Sequence, residues 1–374
     1  MVLDSSTQRV ARLTPLGAIL ALIESRVGAV RPRQCAPASA QGGTLAQDVV
    51  APQQPPLPVA LCDGFAVAAA AIADAGPYMP VPFASMPRRV DVGEPLPGGT
   101  DAVAPLDAVT ISGGRAQAVA AVTPGEGVLP AGGDTTPRTP LRRAGERLRA
   151  LDVAVLAAAG IAEVTVRAPR IRIVCGSAAK TPLLDAALAM LRHCLAAAGC
   201  AVHDAPLPAG ALDEALTDDQ ADAVIAIGGT GGGRNDMSVR TLARLGRVEA
   251  HGIAVSPGKT AAFGFVGALP VLLIPGRLDA ALAIWLLIGR HLVAKLAGGR
   301  VEETPTLLPL KRKVTSTIGL VELLAVSCAD GMAEPLACGY LSFESLTRSD
   351  GWIVVAADSE GFAAGTQVAV TSWP

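Results

Sequence analysis

Gly228-Gly229-Thr230-Gly231-Gly232-Gly233-Arg234-Asn235-Asp236 follows directly on the continuous apolar run Ala223-Val224-Ile225-Ala226-Ile227. A short apolar run bounded by turn residues reads as a strand buried on both faces, and a helix is expected after Asp236. Consecutive glycines let backbone amides come close to an anion, and a helix start beyond them favours negative charge. Asp236 adds a carboxylate beside that anion site, as a magnesium-bridged phosphate requires. Taken alone, such a loop also reads as a flexible surface connection.

Outward from this loop, strands and helices alternate. Residues 171–175 read as a strand, 182–198 as a helix stopped by Gly199, 201–203 as a strand, 271–274 as a strand and 278–296 as a long helix. This alternation predicts βαβ units on a mostly parallel sheet. Ligands of such sheets sit beyond the carboxyl ends of strands, so the loops after Cys175, Ile227, Val255 and Ile274 are the candidates. Two nucleotide motifs fail. G-x-G-x-x-G is not met, because Arg234 stands where the last glycine belongs, and the P-loop-like Gly258-Lys259-Thr260 has Ile253 at its upstream glycine position.

The flanking regions differ in texture. Thr14 as N-cap, Pro15 and the spacing of Leu16, Ile19, Leu20, Ile23 and Val27 predict a first helix. Between residues 31 and 145, short apolar pieces broken by proline and glycine predict a β-rich segment. A helix is expected over 149–160 and a strand over 161–166. After Gly298-Gly299 the chain returns to strand-like segments at 321–326, 352–356 and 367–370.

Composition narrows the function classes. At 374 residues the chain is expected to hold two to four domains. The formal net charge of −2, with intermixed signs, gives no basic footprint for nucleic acid. The longest uncharged apolar stretch, 280–289, falls short of the roughly 20 residues a bilayer requires, so no membrane association is expected. Residues 1–10 show no basic segment leading into an apolar core, and the cytoplasm is the expected compartment. The cysteines Cys35, Cys62, Cys175, Cys194, Cys200, Cys328 and Cys338 form an odd set without a CxxC pair, which favours reduced packing residues. The histidines His193, His203, His251 and His291 show no ligand spacing.

A set of further segments joins the glycine loop. Leu61-Cys62-Asp63-Gly64-Phe65-Ala66-Val67 resembles the MDGYA motif of the molybdopterin molybdenumtransferase family, the MoeA and gephyrin E-domain group. Residues 92–103, VGEPLPGGTDAV, resemble that family's TGxxLPxGADAV, and Gly132-Gly133-Asp134 stands where the family has GED. The glycine loop with Asp236 resembles GGVSxGxxD, Ser256-Pro257-Gly258-Lys259 resembles KPGKP, and Ile274-Pro275-Gly276 resembles the LPGNP turn. Order and spacing agree over about residues 14–370.

The resemblance implies an α/β multidomain architecture. An elongated discontinuous domain (1–48 and 135–168) would flank an inserted β-rich domain (49–134), followed by a molybdopterin-binding α/β domain (169–299) and a C-terminal β-barrel-like domain (300–374). It implies a homodimer whose cleft lies between the α/β domain of one subunit and the inserted domain of the other. Adenylylated molybdopterin and molybdate would be substrates, AMP a product and magnesium the cofactor. A molybdopterin adenylyltransferase or a recipient molybdoenzyme would be the partner. Asp63, Asp134, Asp236 and Lys259 match the family's acidic and lysine positions: Asp236 would lie near magnesium and phosphate, Lys259 would contact an anion, and Asp63 and Asp134 would reach the cleft from the other subunit. Residues 228–233, with Ser256, Pro257, Gly258, Pro275 and Gly276, would bind the pterin. For each aspartate alone, a turn or cap role is the alternative, and for Lys259 alone a solvated surface charge.

The pattern is also broken. Where the family carries TGDEL, this chain has Cys175-Gly176-Ser177-Ala178-Ala179, and a further family aspartate falls near Pro208-Ala209-Gly210. The PGNP turn is Pro275-Gly276-Arg277-Leu278, and Cys62 replaces the methionine of MDGYA. Glu94, Asp185, Asp204 and Asp222 have no assigned place in the cleft. Lys180 and Arg277 add positive charge beside the anion-binding loops; one reading is that they strengthen phosphate or molybdate attraction without metal, and the expected one is that both are exposed solubilising side chains. Two functions therefore stand: a divergent molybdenumtransferase, favoured by the β-domain motifs, or a non-catalytic molybdopterin carrier or chaperone for a molybdoenzyme.

Overall fold

The computed structural model describes residues 8–176, 181–203, 212–217, 220–234, 236–301 and 303–374. The loop positions Ser177–Ala179, Lys180, Asp204 and Pro208–Gly210 lie outside these residues. Internal contacts divide the chain into two units: one comprises Met1–Gln47, Gly145–Ala150 and Thr165–Pro374, the other Asp48–Ala144 and Leu151–Val164.

The first unit carries the alternating segment. Helix α1 spans Leu16–Arg26 and buries Ile19 and Ile23, as their spacing predicts, and α2, the helix expected over 149–160, spans Ala150–Ala158. The N-cap of α1 is Pro15 rather than Thr14, whose backbone instead bridges to Ile253. The sheet strands are β1 (Arg170–Cys175), β2 (Ala201–His203), β3 (Ala223–Ile227), β4 (Arg247–His251), β5 (Ala262–Val266) and β6 (Leu269–Ile274), in spatial order β2-β1-β3-β6-β5-β4. The first four in that order pair in parallel, and β5 and β4 complete one edge antiparallel.

Alternate side chains of one strand enter different cores, the geometry of a sheet covered on both faces. From β3, Ala223, Ile225 and Ile227 pack with Leu191 and Leu195 of α3 (Pro182–Ala197) on one face. Val224 and Ala226 pack with Leu216 of α4 (Leu212–Leu216) and Leu242 of α5 (Ser238–Leu245) on the other. The run over 278–296 is helical throughout: α6 (Leu278–Ile284), a π-helical turn (Trp285–Gly289) and α7 (Arg290–Leu296). Gly289 lies against the Trp285 ring, where a Cβ would come to 2.6 Å.

One expected strand belongs elsewhere. Val255–Ser256 does not join this sheet; it pairs in parallel with Val321–Ala329, the first long strand of the C-terminal segment. Gly351–Val355, Gln367–Ser372 and Thr306–Pro309 extend the same ladder, Met332–Ala337 is a hairpin partner of Val321–Ala329, and Val314–Thr315 pairs separately with Gly361–Phe362. Leu323, Ala325, Leu341 and Trp352 share the main core with the α/β layer.

In the second unit, Gly64–Val67 is the central strand between Arg88–Val90 and Ala102–Pro105. A second sheet joins Val81–Pro82, Arg115–Ala118 and Val109–Ser112. Phe65, Ile72, Ala102, Ala104 and Ala118 fill the core between them. The β-rich reading of this segment is met by short strands, as its proline and glycine breaks predict. No helix among the described residues is long and apolar enough to cross a membrane.

Candidate functional site

The chain runs from β1 to β2 on one side and then returns past β1 to β3, so the connections diverge between β1 and β3. This is the switch point at which an α/β sheet opens a crevice. The strand ends are level, because Cys175 pairs with Ile227 and Ile227 with Ile274. The three outgoing loops are stapled to one another: the Gly176 amide donates to the Ile227 carbonyl and the Gly228 amide to that of Ile274, both at 2.8 Å. A cavity of about 380 Å³ lies over these ends, and Thr181, residues 228–231, Asp236, Thr260, Pro275, Gly276 and Arg277 contribute to its lining.

Crowding explains the glycines here as much as ligand access does. Gly229 has φ +72°, and a Cβ on it would stand 2.5 Å from the Ser238 hydroxyl and 2.6 Å from the Gly176 carbonyl. Ser238 is fully buried and donates to the carbonyls of Gly228 (2.8 Å) and Gly176 (3.2 Å), locking two strand-end loops together. From the other side, His251 Nε2 lies 3.0 Å from the Thr230 carbonyl. Gln8 Nε2 donates 2.6 Å to the Gly229 carbonyl. The glycine loop is therefore braced by side chains from three separate segments, which argues against the flexible-connection reading.

Asp236 is half-buried, and its carboxylate accepts the Gly233 amide at 2.8 Å. Asp236 thus both closes the turn and lines the cavity. Thr230 is 2% exposed, and its hydroxyl stands 3.1 Å from that of Thr260. The helices that follow β1, β3 and β6 all begin beside the cavity: Thr181 caps α3 through the Leu184 amide, and no side chain caps α5. Their uncompensated amides favour an anion here.

Of the other expected site residues in the first unit, those of the segment 256–259 do not line this cavity. Lys259 is exposed, Ser256 and Gly258 are buried, and none of residues 256–259 contributes to the lining; Thr260 is the residue that reaches it from this segment. The reason is that Val255–Ser256 is committed to the C-terminal sheet. Asp63 and Asp134 belong to the second unit. Asp63 is exposed and accepts the Val92 amide at 2.9 Å, and Asp134 is exposed with its amide on the Gln54 carbonyl. Arg277, read from the sequence as a solubilising charge, lines the cavity and is held by an ion pair with Asp279. Ser238, Thr260, His251 and Gln8 carried no sequence signal, because only folding brings them to the loop.

Among the described residues no group of three His, Cys, Asp or Glu side chains converges as a metal cage would. Magnesium does not need one: it takes one or two carboxylates and completes its shell with substrate oxygens and water. Asp236, in the cavity wall, fits that habit.

Residues 14–160 match the family model described as MoeA N-terminal region (domain I and II), and residues 173–295 match that of a Probable molybdopterin binding domain. The chain belongs to the MoeA family. The molybdopterin biosynthesis MoeA protein of Pyrococcus horikoshii superposes with TM-score 0.72 at 25% identity, covering 96% of this chain and 99% of that one. The molybdopterin molybdenumtransferase 1 of Mycobacterium tuberculosis is 29% identical over 75% of this chain and 78% of its own length. A Methanocaldococcus jannaschii protein named for molybdopterin biosynthesis is 33% identical, but over only 43% of this chain and 38% of its own length. The second match begins at residue 173, within β1, so the cavity described here falls inside that family region.

Proposed function

We propose that the chain acts in molybdenum cofactor biosynthesis, binding adenylylated molybdopterin and inserting molybdenum from molybdate with release of AMP. The observation that carries this reading is the cavity at the β1/β3 switch point, bounded by fixed glycine loops and the starts of three helices. Its volume of about 380 Å³ lies in the range of small-molecule sites. Release of AMP breaks a phosphoanhydride, so negative charge grows on the departing phosphate. Donors already fixed in place stabilise that charge without reorganising. The braced amides of the glycine loop, the Thr230 and Thr260 hydroxyls and the Arg277 guanidinium supply such donors. Magnesium, when bound, would be held by Asp236 together with substrate oxygens, and would neutralise phosphoryl charge.

A homodimer, and roles for Asp63 and Asp134 in the reaction, belong to the same proposal. So does exchange with an adenylyltransferase or a recipient molybdoenzyme. One observation favours a second reading. Asp236 is the only carboxylate among the described residues that line the cavity, so a carrier that binds the pterin without transferring metal is the competing function. The deciding experiment incubates the purified chain with adenylylated molybdopterin, molybdate and magnesium and measures AMP. Catalytic AMP release supports the transferase; tight pterin binding with no AMP supports the carrier; absence of binding removes both.

A further inference from the structure

Arg277 follows β6 at the position where the resembled turn has asparagine, and its environment is built rather than open. Its Nε and Nη2 donate to the two oxygens of Asp279 at 3.1 and 2.7 Å. Asp279 is 3% exposed and also accepts the Leu341 amide at 3.3 Å. The guanidinium carbon lies over the Tyr340 ring, 4.6 Å from its centroid. A solubilising arginine needs neither a buried carboxylate nor an aromatic platform. Here both fix the plane of the guanidinium while its side chain stays 56% exposed and reaches the cavity wall.

The bidentate pair with Asp279 occupies one edge of the guanidinium. Arginine carries five N–H donors in a rigid fork, so the opposite edge keeps donors with no acceptor among the described residues. Arg277 is also the only cationic side chain in the described lining. A cation held in advance loses little freedom on meeting a ligand, and a guanidinium binds phosphate oxygens in pairs.

We infer that Arg277 is a specificity-determining residue that contacts the phosphate ester of the pterin ligand through its outer edge, with Asp279 and Tyr340 as the residues that position it. The inference rests on the molybdopterin reading and adds to it the part of the ligand that this chain's own arginine selects. A purely structural ion pair would make a different prediction: losing it would weaken binding of every ligand alike.

The test titrates the purified chain anaerobically with molybdopterin and with its enzymatically dephosphorylated form, following heat of binding. R277Q alone leaves buried Asp279 without its cation, which threatens folding. The paired variant R277Q/D279N removes both charges and keeps the test interpretable, and R277K retains a cation without the fork. The wild-type chain is expected to prefer the phosphorylated ligand. R277Q/D279N is expected to lose about tenfold or more of that preference while binding the dephosphorylated form as before. R277K should fall between the two. An undiminished preference in R277Q/D279N overturns the inference and leaves the pterin reading standing. A wild-type chain that binds neither form overturns both.

Discussion

The hydroxyls of Thr230 and Thr260 stand 3.1 Å apart and join the glycine loop to the segment that precedes β5. Thirty positions separate them in sequence. Thr230 is almost fully buried, so replacing Thr260 with valine leaves its hydroxyl short of a partner. T260V is expected to cost about 1 kcal/mol of stability and to weaken pterin binding several-fold. Denaturant titration and ligand titration read the two effects, and a fully wild-type T260V in both assays would contradict this account of the wall.

Asp236 and Lys259 are predicted to differ. D236A removes the acceptor of the Gly233 amide and the carboxylate of the cavity wall. Its pterin retention should fall about tenfold or more, since charge-assisted hydrogen bonds contribute about 1.5–3 kcal/mol. Lys259 is exposed and outside the described lining, so K259A should change retention by about twofold or less. Equal losses in the two variants, measured by co-purified pterin, would put Lys259 in the binding machinery.

Gly229 tolerates no side chain. In G229A, the new methyl would stand 2.6 Å from the Gly176 carbonyl, on a backbone with φ +72°. A non-glycine residue held in that region costs on the order of 1–3 kcal/mol. The strand-end loops must separate to admit it, so ligand binding should be lost while the far-ultraviolet dichroism stays native. G93A serves as the control: Gly93 also has positive φ, but a Cβ there meets nothing within 4 Å. Loss of binding in G93A as severe as in G229A would mean that backbone strain, not loop crowding, is what matters.

Burial pushes the Cys200 thiol from its ordinary 9.0 up to about 12, only partly offset by Arg147. The folded chain then holds a proton that the unfolded chain gives up above about pH 9. The contribution of this thiol is intact below that pH and declines as pH rises toward 12. Urea midpoints should fall above pH 9, and C200A should flatten the slope by up to about 1.4 kcal/mol per pH unit. An alkaline slope identical in C200A and the wild type would assign the loss to other groups.

The alternation of strands and helices over residues 171–296 could be read directly, because each buried strand must be apolar on both faces and each helix on one. The glycine loop was legible because glycines just past a buried strand mark backbone in close approach, and at Gly229 the neighbours Gly176 and Ser238 leave no room for a Cβ. Local pattern sufficed in both cases. It failed at Val255, whose apolar character suits either sheet; pairing with Val321 is a long-range choice that no window of sequence contains.

The identity of the cavity wall lies on the tertiary side of that line. Asp236 was visible as a carboxylate beside an anion loop, since both features lie within nine consecutive residues. Thr260, His251, Ser238 and Gln8 have ordinary sequence surroundings, and they act on the loop only because the sheet and the N-terminal segment carry them to it. Arg277 shows the division most clearly. The sequence determined that a cation stands beside the loop, but only packing against Asp279 and Tyr340 decided that it is held in one orientation. Charge is a property of a residue, whereas orientation is a property of its neighbours.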